Sequence, residues 1–359
     1  MSFLERDHTT ESYFDKIRTR SNSYKKNTAK VIKHFDIFCK KKYDKSKEDV
    51  FAEIKTIVGD KKDRIIYELL QEFSNYLTDK VRCNTQITYF AYLKPYLAYM
   101  TLTKIHSEDI RQNVVLPKPI EEDPYPISID DQRQLFKHAS FDRVAYYLFL
   151  ASSGIREQEG CKIRKRDFVF TYKRPMVKLP GKYTKTGKGR RTFISLEANE
   201  YLQQLLIGLS PDDLVFTKNE DSEKAAATQR DVFDAVRKKA GFDDLKYESG
   251  THKITIHGFR SFFITQTEKV HEGLGHALAG HGRYMKRYER FTDQELLDFY
   301  LKVEPALTIF SDQKNAKTLE EALARISYLE KKEEERQMEY KKRLSILDEN
   351  ILKVRQLNN

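Results

Sequence analysis

The chain has 359 residues, with 65 Lys and Arg against 54 Asp and Glu, and a formal net charge of +11. That length holds two modest domains with cores of their own plus an appendage, and the basic balance suits a polyanionic partner such as nucleic acid. Cys39, Cys83 and Cys161 lie far apart, the start MSFLERDHTTESYF is charged, and no apolar run approaches the ~20 residues of a membrane helix; disulfide-stapled, zinc-ribbon, secreted and membrane-spanning classes are thereby disfavoured, and a soluble, cytoplasmic protein is expected.

Residues 1–115 read as a helical block, with amphipathic helices expected around Ser23–Lys42, Lys61–Lys80 and Asn84–Thr101. In the last of these Ile87, Phe90, Leu93, Leu97 and Met100 recur at helical steps, and Pro95 predicts a kink or break. Between Lys16 and Lys47 there are 12 Lys/Arg against 2 Asp. A basic helix is often just a solvated face, but this surplus, with Lys25, Lys26, Lys30 and Lys33 among it, favours phosphate contact.

Residues 116–127 carry prolines at 117, 119, 124 and 126 and predict an extended linker. Ser128 or Asp130 then starts a helix, the first of a mixed, mainly helical domain over 128–312. Arg143–Ser152 is apolar enough for a buried helix. FVFTY, MVKL and TFIS between Phe168 and Ser195 predict a small antiparallel sheet, with Lys185 on a tight turn between two strands in YTKTGKGRR. Helices resume near Arg230. Residues 313–359 form a third unit: from Leu319 to Val354 eight of eleven heptad core positions are apolar, in four-three spacing, which predicts a coiled-coil-like helix with a partner.

The chemistry-bearing pieces are short and scattered. Arg156 stands in SSGIREQE with Glu159 one helical turn on; His257 and Arg260 form H-x-x-R on one helix face, amid Phe259, Phe262 and Phe263; His281 follows Gly280; Tyr288 stands in MKRYER. An Arg–Glu pair at a helix start is commonly structural, and H-x-x-R occurs often by chance. Their order is what points to function, because arginine offers a planar, permanently charged fork that matches the oxygens of a phosphodiester. Between Arg156 and Arg191 there are 13 Lys/Arg and 3 acids, so basicity alone does not select Lys185 over Lys182 or Lys188, and Lys188, Arg190 and Arg191 read as a phosphate-tracking surface. Tyr284 and Tyr300 are alternative nucleophiles. An earlier Gly-His pair at Gly275–His276 would favour Tyr284, but it lies only 16 residues past Arg260. His252, His257, His271, His276 and His281 raise a metal site; no cysteine or acid cluster joins them and five-residue steps drift around a helix, so none is expected.

This ordered set resembles the active-site signature of the tyrosine recombinase (phage integrase) family, and R-Y-x-R followed by TDQELLDFY looks most like archaeal integrases of viruses and mobile elements. The resemblance implies a helical core-binding domain joined to an α+β catalytic domain with a small sheet. It implies metal-free, cofactor-free cutting and rejoining of double-stranded DNA through a 3′-phosphotyrosyl link, by a protein that assembles on attachment sites as a tetramer. Arg156, Arg260 and His281 would hold the phosphate, Glu159 would orient Arg156, Lys185 would protonate the leaving oxygen, His257 would handle the tyrosine proton, and Tyr288 would attack. A type IB topoisomerase-like enzyme and a catalytically decayed DNA-binding accessory protein are the alternative readings.

Overall fold

A computed structural model describes residues 7–281, 291–310, 327, 331–333 and 335–338. The chain divides between Asp123 and Pro124 into two compact units.

The first unit is all helical among its described residues: α1 (Thr10–Lys16), α2 (Asn22–Tyr43), α3 (Lys47–Thr56), α4 (Asp60–Leu77), α5 (Cys83–Thr101) and α6 (Ser107–Asn113). Helix α2 starts where the Ser21 side chain accepts from the Tyr24 amide and ends at Asp44 in the left-handed region. Thr28, Val31, Ile32, Phe35, Phe38 and Cys39 recur on its buried face. Phe35 stacks on Phe51 and meets Phe73 edge-on, with ring centroids 5.8 and 5.2 Å apart. Lys26, Lys30 and Lys33 lie along the exposed face of the same helix, while Lys25 is half-buried.

Helix α5 runs unbroken through Pro95, so the expected break does not occur. A proline inside a helix costs roughly 3 kcal/mol. Phe90, Leu93, Tyr96, Leu97 and Met100 are buried on either side of it, and each such side chain contributes roughly 1.5–3 kcal/mol. Packing therefore outweighs the lost hydrogen bond. The first part of the Pro-rich stretch is tied to this unit: the Val115 amide donates to Gln71, its carbonyl accepts from Ser74, and Ile120 makes reciprocal bonds with Asn84.

The second unit opens with α7 (Ile129–Phe136), where Ser128 and Asp131 form a reciprocal cap, and α8 (Phe141–Ser153), buried from Val144 onward. Short α9 (Glu157–Gly160) follows. Strands β1 (Phe168–Val169), β2 (Met176–Leu179) and β3 (Arg190–Phe193) make an antiparallel sheet in that order, with Leu179 opposite Arg190 and Met176 opposite Phe193. The β1 and β3 runs are displaced from FVFTY and TFIS: β1 keeps two residues, and β3 begins two residues earlier. Helices α10 (Leu196–Leu206), α11 (Ser222–Lys239), α12 (His257–Val270), α13 (Leu274–Ala279) and α14 (Asp293–Leu307) complete the unit. Its core includes Tyr147 stacked on Phe259, at 5.1 Å, with Phe233 edge-on to both.

The C-terminal end of α14 is held by charge. Glu304 accepts from buried Arg174 and from the Leu196 amide. Glu197 accepts the Ile309 and Phe310 amides, and Arg133 donates to the Ile309 carbonyl. Of the heptad positions beyond, only Glu333 and Gln337 are described, helical and exposed; the rest lie outside the described residues. No described helix is long and apolar enough to cross a membrane.

Candidate active site

The site forms where the end of α8, the start of α9, β3, the start of α12 and the end of α13 converge. Gly154 ends α8 at φ +65°, and a Cβ there would lie 2.3 Å from the Phe263 ring. Only glycine fits both constraints. The turn frees the Gly154 carbonyl, which accepts from Nη1 of Arg260 at 2.5 Å; the same nitrogen donates to the Ala279 carbonyl at 2.6 Å. Arg260 is 3% exposed, and its Nη2 has no hydrogen-bond partner among the described residues. An unpaired cationic donor at that depth is a site for an anion.

Arg156 caps α9, and its Nη1 lies 3.0 Å from Oε1 of Glu159, whose Oε2 accepts the Arg156 amide at 3.2 Å. Glu159 is shared with Arg190, the first residue of β3. Arg190 also donates from Nε to the Leu278 carbonyl at 3.1 Å, which stitches the sheet to the end of α13. Burial alone would raise the Glu159 carboxyl, but hydrogen bonds and charge from Arg190 and Arg156 hold it below its ordinary value. Burial and the facing charges of Arg156 and Arg190 push Arg260 down to about 9, so it stays charged near neutral pH. Desolvation and the neighbouring Arg260 and Arg156 also lower His257, and the same effects, with His276 and Arg190, lower His281 to about 4. Both imidazoles are therefore neutral near pH 7. Three arginines around one carboxylate leave a surplus of positive charge.

Lys185 is exposed in the β2–β3 connection, which runs through a turn of 3₁₀ helix at Gly181–Tyr183. The Thr184 hydroxyl engages the carbonyls of Gly181 and Lys188, at 3.0 and 2.9 Å, closing the loop beneath it.

Residues 129–277 match the phage integrase family model. Over that stretch, less than half of the chain, the sequence is similar to the phage integrase family. In fold, the chain is similar to a lambda integrase (residues 75–356) dimer bound to a COC′ core site: TM-score 0.55, 13% identity, covering 81% of this chain and 93% of that one. XerH site-specific recombinase bound to a difH substrate also matches, at TM-score 0.44 and 17% identity over 65% of this chain and 69% of that one. No curated protein matches the sequence. The mainly helical architecture with a small antiparallel sheet is shared with this lambda integrase structure.

The structure gathers Arg156, Glu159, Arg260 and His281, with His257 exposed at the first turn of α12. Tyr288 and Tyr284 lie outside the described residues. Tyr300 is corrected as a nucleophile: it is fully buried in α14 and donates its hydroxyl to the Ser152 carbonyl at 2.8 Å, out of reach of any substrate. One presumed surface cation is also corrected. The Arg190 side chain is 4% exposed and bound to Glu159, while Arg191 is paired with Asp293 at 2.7 Å and donates to the Phe291 carbonyl. Lys188 is exposed.

Sequence reasoning passed over Arg190 as part of this cluster, because nothing local sets it apart from the other cations around it. It also set aside His276, whose Nδ1 lies 2.6 Å from Nδ1 of His281. Of the other histidines, His252 faces Asp243 at 3.3 Å, and His271 packs edge-on to Phe299. Among the described residues no three His, Cys, Asp or Glu side chains gather in a metal-holding group.

Proposed function

We propose that the protein is a site-specific recombinase that cuts and rejoins double-stranded DNA to integrate or excise a viral or mobile element. The observation that carries this reading is Arg260, buried with one guanidinium nitrogen unpartnered, beside Arg156 and neutral His281. Such a cluster matches the two non-bridging oxygens of a scissile phosphate and the charge they gain in a pentacoordinate transition state.

The Tyr288 hydroxyl forms a new bond to phosphorus while the bond to the 5′ oxygen breaks, leaving a 3′-phosphotyrosyl link. Neutral His257 accepts the tyrosine proton, and Lys185, on its exposed loop, protonates the leaving 5′ oxygen. Glu159 orients Arg156. The link conserves bond energy, so a 5′ hydroxyl from a second strand reverses the step and exchanges strands. Lys25, Lys26, Lys30, Lys33 and Lys188 contact the phosphate backbone, and four protomers assemble on the paired sites, with the heptad tail as a contact between them.

The test is a nicked duplex carrying the attachment site, incubated with protein in chelator. A covalent adduct in the wild type and Tyr284→Phe, absent in Tyr288→Phe, supports the reading. An adduct that survives Tyr288→Phe and is lost in Tyr284→Phe moves the nucleophile. Tight DNA binding with no adduct in any variant rejects the catalytic function.

A further inference from the structure

The two imidazoles at the end of α13 are brought together by the way that helix stops. Gly280, at φ +88°, donates its amide to the Ala277 carbonyl, and the His281 amide donates to the His276 carbonyl at 2.9 Å. These are the two bonds of a Schellman ending, which sets the side chain three residues before the cap against the one just past the glycine. That contact is ordinarily apolar. Here it joins His276 to His281, with Nδ1 to Nδ1 at 2.6 Å and ring centroids 4.9 Å apart.

At this distance one Nδ1 donates and the other accepts. Resting on the reading of His281 as a phosphate-binding imidazole, we propose that His276 is a positioning residue that donates from its Nδ1 and thereby keeps the single proton of His281 on Nε2, where it can bond the scissile phosphate. The charges facing the pair agree with this assignment. Arg260 of α12, Arg156 at α9 and Arg190 of β3 all disfavour a second proton on His281, so it works as a neutral donor. A neutral imidazole has one N–H, and the bond its other nitrogen makes decides where that hydrogen sits. The reverse arrangement would aim a lone pair at the phosphate oxygens. The Glu268 carboxylate accepts the Gly273 and His276 amides and so fixes the start of α13.

The test uses the full chain and two readouts. Histidine-selective ¹⁵N NMR, with the His281 signal assigned by its absence in His281→Ala, reports the tautomer. Single-turnover adduct formation on the nicked duplex reports the chemistry. In the wild type His281 should be protonated at Nε2. In His276→Ala it should populate both tautomers, and the adduct should form about threefold to tenfold more slowly, the range expected for one neutral hydrogen bond, with duplex affinity unchanged. His276→Asn, whose carboxamide can donate to Nδ1, should recover most of the rate. A His276→Ala protein with the wild-type tautomer and rate overturns the proposal while a slowed His281→Ala leaves the site reading standing. Wild-type rates in His281→Ala sink both.

Discussion

Glu159 lies between Arg156 and Arg190, with one carboxylate oxygen 3.0 Å from the first guanidinium and the other 2.5 Å from the second. The two arginines differ in depth: the Arg156 side chain is 32% exposed, that of Arg190 only 4%. One is available to a ligand and the other belongs to the framework. Glu159→Gln leaves the Arg190 charge buried with a neutral partner and should cost about 3 kcal/mol, readable as a lower urea midpoint. Arg156→Ala should cost less than about 1 kcal/mol, as partly exposed pairs do, yet abolish adduct formation. Equal destabilisation by both would contradict this division.

Gly154→Ala tests the turn that frees a carbonyl for Arg260. Its φ of +65° and the Phe263 ring 2.3 Å from any Cβ combine a backbone penalty with overpacking. The expected loss is about 2–4 kcal/mol, seen as a fall in thermal midpoint, with Phe263→Ala in the same chain relieving the steric part.

The pH dependence of stability follows from His281. Its folded value, about 4, lies below the ordinary imidazole range. Between about 6.5 and that value the unfolded chain binds a proton that the folded chain refuses, so stability falls as pH drops through this window. His257 is lowered too and acts in the same direction. Thermal midpoints at pH 7 and pH 5 should show the fall, and His281→Ala should reduce it. A midpoint that rises toward pH 5 would reverse the assignment.

Tyr300→Phe removes only the buried bond to Ser152. It should cost about 1 kcal/mol of stability and leave adduct formation intact, measured beside Tyr288→Phe.

The exposed lysines of α2 should act through salt. Replacing Lys26, Lys30 or Lys33 with alanine should lower the slope of log affinity against log salt by roughly 0.9 for each phosphate the lysine neutralises. Duplex binding at three or more salt concentrations measures it. An unchanged slope in the triple variant removes this face from the DNA-binding surface.

Legibility in the sequence tracked the range of the forces involved. Helix α2 was readable within a residue or so at each end because its buried positions repeat locally and Ser21 caps it. Pro95 misled because a local preference was weighed without the core on either side of the helix. The sheet was harder. β1 has only two residues, too few for alternation to register, and its pairing partner is set by contact across the chain. In the site, Arg156 and Glu159 were readable because one turn of helix joins them. Arg190 looked like one cation among many, since its bond to Glu159 spans 31 residues. Tyr300 had the right side chain after the right landmark, and only the packing of α14 shows that its hydroxyl is engaged inside the core.

The clamp on Ile309 and Phe310 works as strain relief does on a cable. Glu197 and Arg133 grip the backbone just past α14 and its buried Tyr300. A pull applied to anything downstream is delivered to those bonds before it reaches the helix. Ending the chain after Phe310 should therefore leave the arginine cluster seated.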